Sequence, residues 1–180
     1  MISKKYANDY EIERIEDPNG KSKQKIVYKG KYFDFSASEE EIRATGKRIA
    51  IISAISWAAY LLPLWIESSA ARTFFIIIPH AFLAVPLFLV SMLAWALLRV
   101  KPPLTREQND RFRGRPSLTA MLIALFAGIA SAGFLIRLTD VSSLTFPGDA
   151  IFFVCDLTLL FLVYLLFRHK ERIASYELGG

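Results

Sequence analysis

Four stretches of this chain are almost uninterruptedly apolar: residues 49–66, 73–98, 117–138 and about 150–167. At about 1.5 Å per helical residue, each approaches or exceeds a hydrocarbon core about 30 Å thick. The pattern predicts an all-α membrane protein, a bundle of four transmembrane helices. The 48 residues before the first run are polar and are not expected to be a cleaved signal peptide. Within them, Tyr10, Ile12 and Ile15 precede the turn signal Pro18-Asn19-Gly20. Then come Ile26, Val27 and Tyr28, a break at Gly30, and Tyr32, Phe33 and Phe35. Aromatic and β-branched residues interleaved with charge predict two or three short antiparallel strands, a small N-terminal β-hairpin or meander. Such a hairpin is marginal alone in water, so it must rest on the membrane surface, the basic middle loop or a partner. The chain therefore divides into a head, 1–37, and a helical body, 38–180.

Local signals refine the helices. Ser38 followed by Glu41 forms a capping box, which predicts one helix from about 39 to 66 that projects beyond the lipid. Pro102-Pro103 stops the second span, and Thr105 with Gln108 is suited to cap a short helix in the middle loop, 99–116. Pro79 and Pro86 each remove a helical hydrogen bond from the second span and favour kinks there. Span three places Ala120, Ala124, Gly128 and Ala132 at every fourth position, a small-residue ridge suited to close helix–helix contact. Trp65 and Trp95 lie near opposite ends of their spans, as interfacial aromatics do.

Charge orients the spans. Of 22 Lys and Arg, eleven precede the first span, six lie between spans two and three, and three follow the fourth; only Arg72 and Arg137 fall on the other side. Basic residues near span ends are retained in the cytoplasm, so both termini and the strand element are expected there, in a cell inner or plasma membrane. This asymmetry also accounts for the net charge of +5 and a pI near 9.4, so no nucleic-acid partner is implied. The lipid bilayer is the first partner, and its anionic lipids attract juxtamembrane basic residues.

Candidate chemistry is sparse. Cys155 is the single cysteine, which rules out an internal disulfide and a cysteine-based metal site. His80 and Asp156 are ionisable residues well inside apolar runs, and such residues normally have a partner or a cavity. His80 lies seven residues into span two and Asp156 seven residues beyond Asp149, each about 10 Å below the same surface. Tyr60 falls at a similar depth on span one. Three helices could thus converge on one polar layer. It is either an interhelical fastener, with Asp156 accepting from His80 or from the Tyr60 hydroxyl, or a ligand or proton site, with Asp156 titrating and His80 modulating it. Beyond Asp156, span four offers only Leu159, Leu160, Val163 and Phe167 on neighbouring faces, which favours the fastener.

No HExxH, GxSxG, P-loop or carboxylate cluster suited to a divalent metal is present, so neither an enzyme nor a cofactor is expected. The segment VYKGKYFDF (27–35) joined to four spans resembles small uncharacterised four-span membrane proteins of bacteria, a likeness of layout that carries no functional residue across. The expected role is a non-enzymatic accessory subunit supporting a larger membrane assembly, most plausibly a transporter, with a homo-oligomer as the other association. The alternative is a self-sufficient small transporter or ligand-binding membrane protein using the Asp156, His80 and Tyr60 layer.

Overall fold

The computed structural model describes residues 4–16, 22–139, 144–170 and 173–178; the turn signal at 18–20 lies outside them. Helix α1 runs Glu39–Leu61, α2 Phe74–Phe82, α3 Ala84–Arg99, α4 Arg106–Arg137 and α5 Gly148–Lys170. Strands β1 (Tyr10–Glu16), β2 (Ser22–Tyr28) and β3 (Tyr32–Phe35) precede α1, β4 (Leu104–Thr105) precedes α4, and β5 (Ser175–Glu177) follows α5. With α2 and α3 taken as one interrupted span, four helices are long and apolar enough to cross a membrane.

They pack as a closed ring. Helix α1 touches α3 and α5, and α4 touches α5, α2 and α3. The interior holds Ile49, Leu83, Leu87, Val90, Leu93, Leu97, Ile123, Ala127, Leu159 and Leu166. The outer surface is just as apolar: Ile51, Phe74, Phe88, Met121, Leu125, Phe161 and Tyr164 are all exposed. Helices that are apolar on every face belong in lipid. There, burying one side chain against another gains little transfer energy, so close packing and interhelical hydrogen bonds must hold the ring.

The second span is broken at Leu83, three residues before Pro86. Pro86 has no N–H for the carbonyl of Phe82, and Leu83 N–H turns to the His80 carbonyl at 3.0 Å, tightening the turn. The break redirects the span: α2 lies along α4, whereas α3 lies along α1. Gly133 on α4 makes the first of these contacts possible, because a Cβ there would sit 2.9 Å from the Phe75 ring. The small-residue ridge does not follow this contact. Ala120 is buried, Ala124 and Gly128 are half-buried and Ala132 is exposed. A four-residue step advances about 40° beyond a full helical turn, so the ridge winds out of the interface.

Both capping boxes form. Ser38 Oγ accepts from Glu41 N–H, and Thr105 Oγ1 from Gln108 N–H at 3.4 Å, each with the reciprocal side-chain bond. The second does not cap a short loop helix, however. It starts α4, which runs through Pro116 into the third span as one 32-residue helix. Pro116 removes one helical bond, but Thr119 Oγ1 donates to the carbonyls of Arg115 and Pro116 and the helix continues.

Strand pairing departs from a single N-terminal meander. Strands β1 and β2 form an antiparallel hairpin, with Tyr10 opposite Tyr28 and Ile12 opposite Ile26. Strand β3 instead sits at the centre of a second sheet, ordered β4-β3-β5, which draws in the middle loop and the C-terminal segment. Phe35, Leu104, Phe112 and Ile173 bury this sheet into the bundle core, with Phe35 edge-on to Phe112 at 5.8 Å. Tyr28 joins the hairpin to that base: its hydroxyl donates to the Lys31 carbonyl at 2.7 Å and accepts from Arg106 N–H at 2.9 Å. Burial pushes this phenol above its ordinary range, which keeps the donor proton in place. A second clamp comes from Tyr6, whose hydroxyl bonds Asp110 on α4 at 2.7 Å beside Lys5 at 2.8 Å.

Candidate functional site

The three residues singled out for depth do meet. His80 comes from the end of α2, Asp156 from the third turn of α5 and Tyr60 from the last turn of α1. His80 Nδ1 lies 3.0 Å from Asp156 Oδ1, and its Nε2 lies 3.0 Å from the main-chain carbonyl of Tyr60. The Tyr60 ring stacks on the imidazole at 5.0 Å with a 13° interplanar angle, and Phe152 closes the other side at 4.7 Å. The His80 and Asp156 side chains are 0% and 1% exposed.

Why the carbonyl of Tyr60 is available follows from the sequence. The last carbonyls of a helix lack intrahelical donors. After Leu61 the chain enters a 3₁₀ turn, Leu62–Trp65, whose Pro63 has no N–H to offer. His80 fills the vacancy. Tyr60 therefore serves through its backbone and its ring face, a role that its side-chain hydroxyl would not suggest.

The geometry fixes a proton count. A carbonyl only accepts, so Nε2 must carry hydrogen. The short line from Nδ1 to Oδ1 then holds one proton, on the imidazole or on the carboxyl. Asp156 Oδ2 is buried and has no hydrogen-bond partner. The arrangement can fasten three spans, and it can hold a single exchangeable proton.

Polarity continues from this layer along the α1–α3 seam rather than along α5. Trp57 packs edge-on to Tyr60 at 5.6 Å, and its Nε1–H donates to Ser91 Oγ at 3.0 Å. Ser53 and Ser91 share a hydroxyl bond of 2.8 Å, and Ser91 donates to the Leu87 carbonyl. Ser56 bonds back to its own helix. These hydroxyls and the indole use their donors on one another and on backbone, as in membrane helix packing.

A second buried acid escaped sequence reasoning. Asp149, in the first turn of α5, accepts from Ser68 Oγ at 2.6 Å, from Ser69 Oγ, from Ala70 N–H at 2.8 Å and from Thr145 N–H at 2.7 Å. Both its oxygens are satisfied, and it ties the 66–73 connection to the start of α5. Gly148 allows the approach, since a Cβ there would run into the carbonyl of Glu67. The one sequence signal was an Asp at a helix N-terminus, where negative charge is favoured. Its partners, Ser68 and Ser69, lie in a segment with no pattern of its own.

Cys155 is buried and unpaired. Among the described residues, no three of His, Cys, Asp and Glu come together in a group that could hold a metal ion.

Four spans around a buried polar layer, with small sheets at one end, define a multi-pass membrane protein. Beyond that class, no family model, curated protein or solved structure matches the chain.

Proposed function

We propose that this protein is a non-enzymatic subunit of a larger membrane assembly, most plausibly a transporter, and that it docks through its strand-bearing head. The observation that carries this reading is the β1–β2 hairpin. Ile12 and Ile26 lie directly opposite each other on it and are 67% and 58% exposed. Tyr10 and Tyr28 continue the same face toward the base, because side chains two residues apart share a face of a strand. Two-stranded hairpins do not persist in water without support, and here the base is fixed to α4 while the Ile12–Ile26 pair, two residues along from Tyr10 and Tyr28, is held outward. A rigid head that presents an apolar pair suits a protein contact. The basic residues flanking the spans support a cytoplasmic head, with both termini on that side of an inner or plasma membrane.

The test is a mild-detergent purification of the tagged protein from its native membrane, with mass spectrometry of the co-eluting proteins. A stoichiometric membrane protein that is lost on Ile12→Asp with Ile26→Asp supports the reading. Recovery of this chain alone overturns it.

One observation favours a second reading, a self-sufficient proton-coupled carrier or binder: Asp156 Oδ2 is buried without a donor. Asp156→Asn can still place an amide donor against Nδ1 but cannot share a proton. On this reading the variant assembles normally and loses proton coupling. Retained coupling rejects it.

A further inference from the structure

A groove of about 510 Å³ opens between α3 and α4 at the head end of the bundle, remote from the His80 layer. Arg99, Arg111 and Arg115 line it together with Trp95, Met92 and Phe112. We infer that this groove binds the headgroup of one anionic phospholipid. The inference takes from the proposed function only that the four helices cross a membrane, and it is independent of any protein partner.

Three features carry it. The first is charge. The arginines converge from two helices: Arg99 ends α3, while Arg111 and Arg115 are one turn apart on α4. Arg111 gives one nitrogen to Glu107, its neighbour one turn earlier, and keeps its other donors. Among the described residues, neither Arg99 nor Arg115 forms an ion pair, and these residues leave the groove with a net positive charge. Guanidinium groups suit phosphate because they present parallel N–H donors to its oxygens.

The second feature is depth. Arg115 stands two residues before the apolar run of the third span, and Arg99 directly follows that of the second. This is the level of phosphates. Trp95, over whose ring Arg99 lies at 3.7 Å, is 58% exposed at the same level, where interfacial indoles reside.

The third is the continuation of the groove. Away from the arginines, the groove leads toward exposed apolar side chains: Met92 lines it, Phe88 lies one turn before Met92 on α3, and Leu118 lies one turn beyond Arg115 on α4. A soluble anion would have no use for that track, whereas acyl chains would lie along it. Ser91 lies at the apolar end and is already bonded to Trp57, Ser53 and Leu87, so it makes no demand on a ligand.

The experiment uses the full chain, delipidated in a neutral detergent. Native mass spectrometry would follow titration with phosphatidylglycerol, with phosphatidylcholine of the same acyl chains, and with inorganic phosphate. One saturable phosphatidylglycerol adduct is expected, weakened about fivefold by Arg115→Gln and more than about tenfold by Arg99→Gln with Arg115→Gln. Arg113→Gln removes a charge from an exposed position outside the groove and should leave the adduct unchanged. Ala96→Phe fills the groove while keeping every arginine and should abolish the adduct. That variant also guards against misfolding of the arginine double variant, since a melting temperature near that of the parent certifies it as folded. Equal binding of the two lipids overturns the inference. So does unsaturable binding that Arg113→Gln reduces as much as Arg115→Gln, which would mark diffuse surface attraction. Inorganic phosphate competing at concentrations comparable to the lipid would also overturn it, because the groove would then take a soluble anion.

Discussion

Helix α5 carries two buried acids two turns apart on the same face, and the structure treats them differently. Asp149, near the helix start, has four donors on two oxygens and belongs to a closed knot of loop backbone and serine hydroxyls. Asp156 engages one imidazole with one oxygen and leaves the other bare. Seven residues separate them, close to two helical turns, so rotation about the helix axis does not explain the contrast. The neighbours do. Near Asp149 the chain is leaving a helix and entering a turn, where free N–H groups are plentiful. At Asp156 the facing residue lies within α2, whose N–H groups are consumed along the axis, and a side chain is what remains to donate. A buried acid at a span end therefore finds backbone partners. One in mid-span depends on whichever polar side chain the next helix brings.

This contrast can be broken first at Asp149. Asp149→Ala would strand two backbone N–H groups and two hydroxyls in a water-poor site. At about 1–3 kcal/mol per buried group left unsatisfied, less whatever water recovers, we expect a loss of about 3 kcal/mol or more. A large fall in melting temperature in detergent would register it. A loss under about 1 kcal/mol would show that the serines and the loop hold themselves without the acid. Gly148→Ala probes the same knot by steric means, since the methyl group would press on the Glu67 carbonyl. It should cost about 1–3 kcal/mol, measured in the same way.

A smaller effect is expected at the mid-span layer. His80→Ala and Asp156→Ala, alone and together, form a thermodynamic cycle whose coupling should be about 0.5–2 kcal/mol. Each single variant removes the partner of the other residue, so the double variant should be less harmful than the sum of the singles. Strict additivity of the melting shifts would mean that the contact contributes no net energy, and the fastener reading would fail.

How much of this was visible beforehand differs between the two acids and between the two ends of the molecule. The four spans were legible because hydrocarbon thickness imposes a length on apolar runs, and α1 and α5 begin and end within a few residues of the expected places. The depth of His80 and Asp156 was also legible, since depth is counted along a helix. Rotation about the axis was not, because helices apolar on every face carry no stripe to orient them. The continuity of α4 was masked by the charged residues 106–115, which resemble a loop only when hydropathy is the guide; the Thr105–Gln108 cap was the better signal. Strand β5 was invisible. Its three residues acquire meaning only by pairing with β3, more than a hundred residues earlier, and no local pattern records such a partner.

The Tyr60 contribution is the sharpest case, because the sequence pointed to the right residue for the wrong group. Its hydroxyl suggested a hydrogen bond to Asp156, whereas the structure uses its carbonyl and its ring face. Tyr60→Phe keeps both of those and removes only the hydroxyl. We expect its melting temperature to match the parent, within about 0.5 kcal/mol of stability. Tyr60→Leu keeps the carbonyl but loses the stacked ring, and should cost about 0.5–1.5 kcal/mol more than Tyr60→Phe. If Tyr60→Phe instead proved as damaging as Tyr60→Leu, the phenol would be reaching the acid after all. The layer would then rest on two side-chain donors rather than on a helix end and an imidazole.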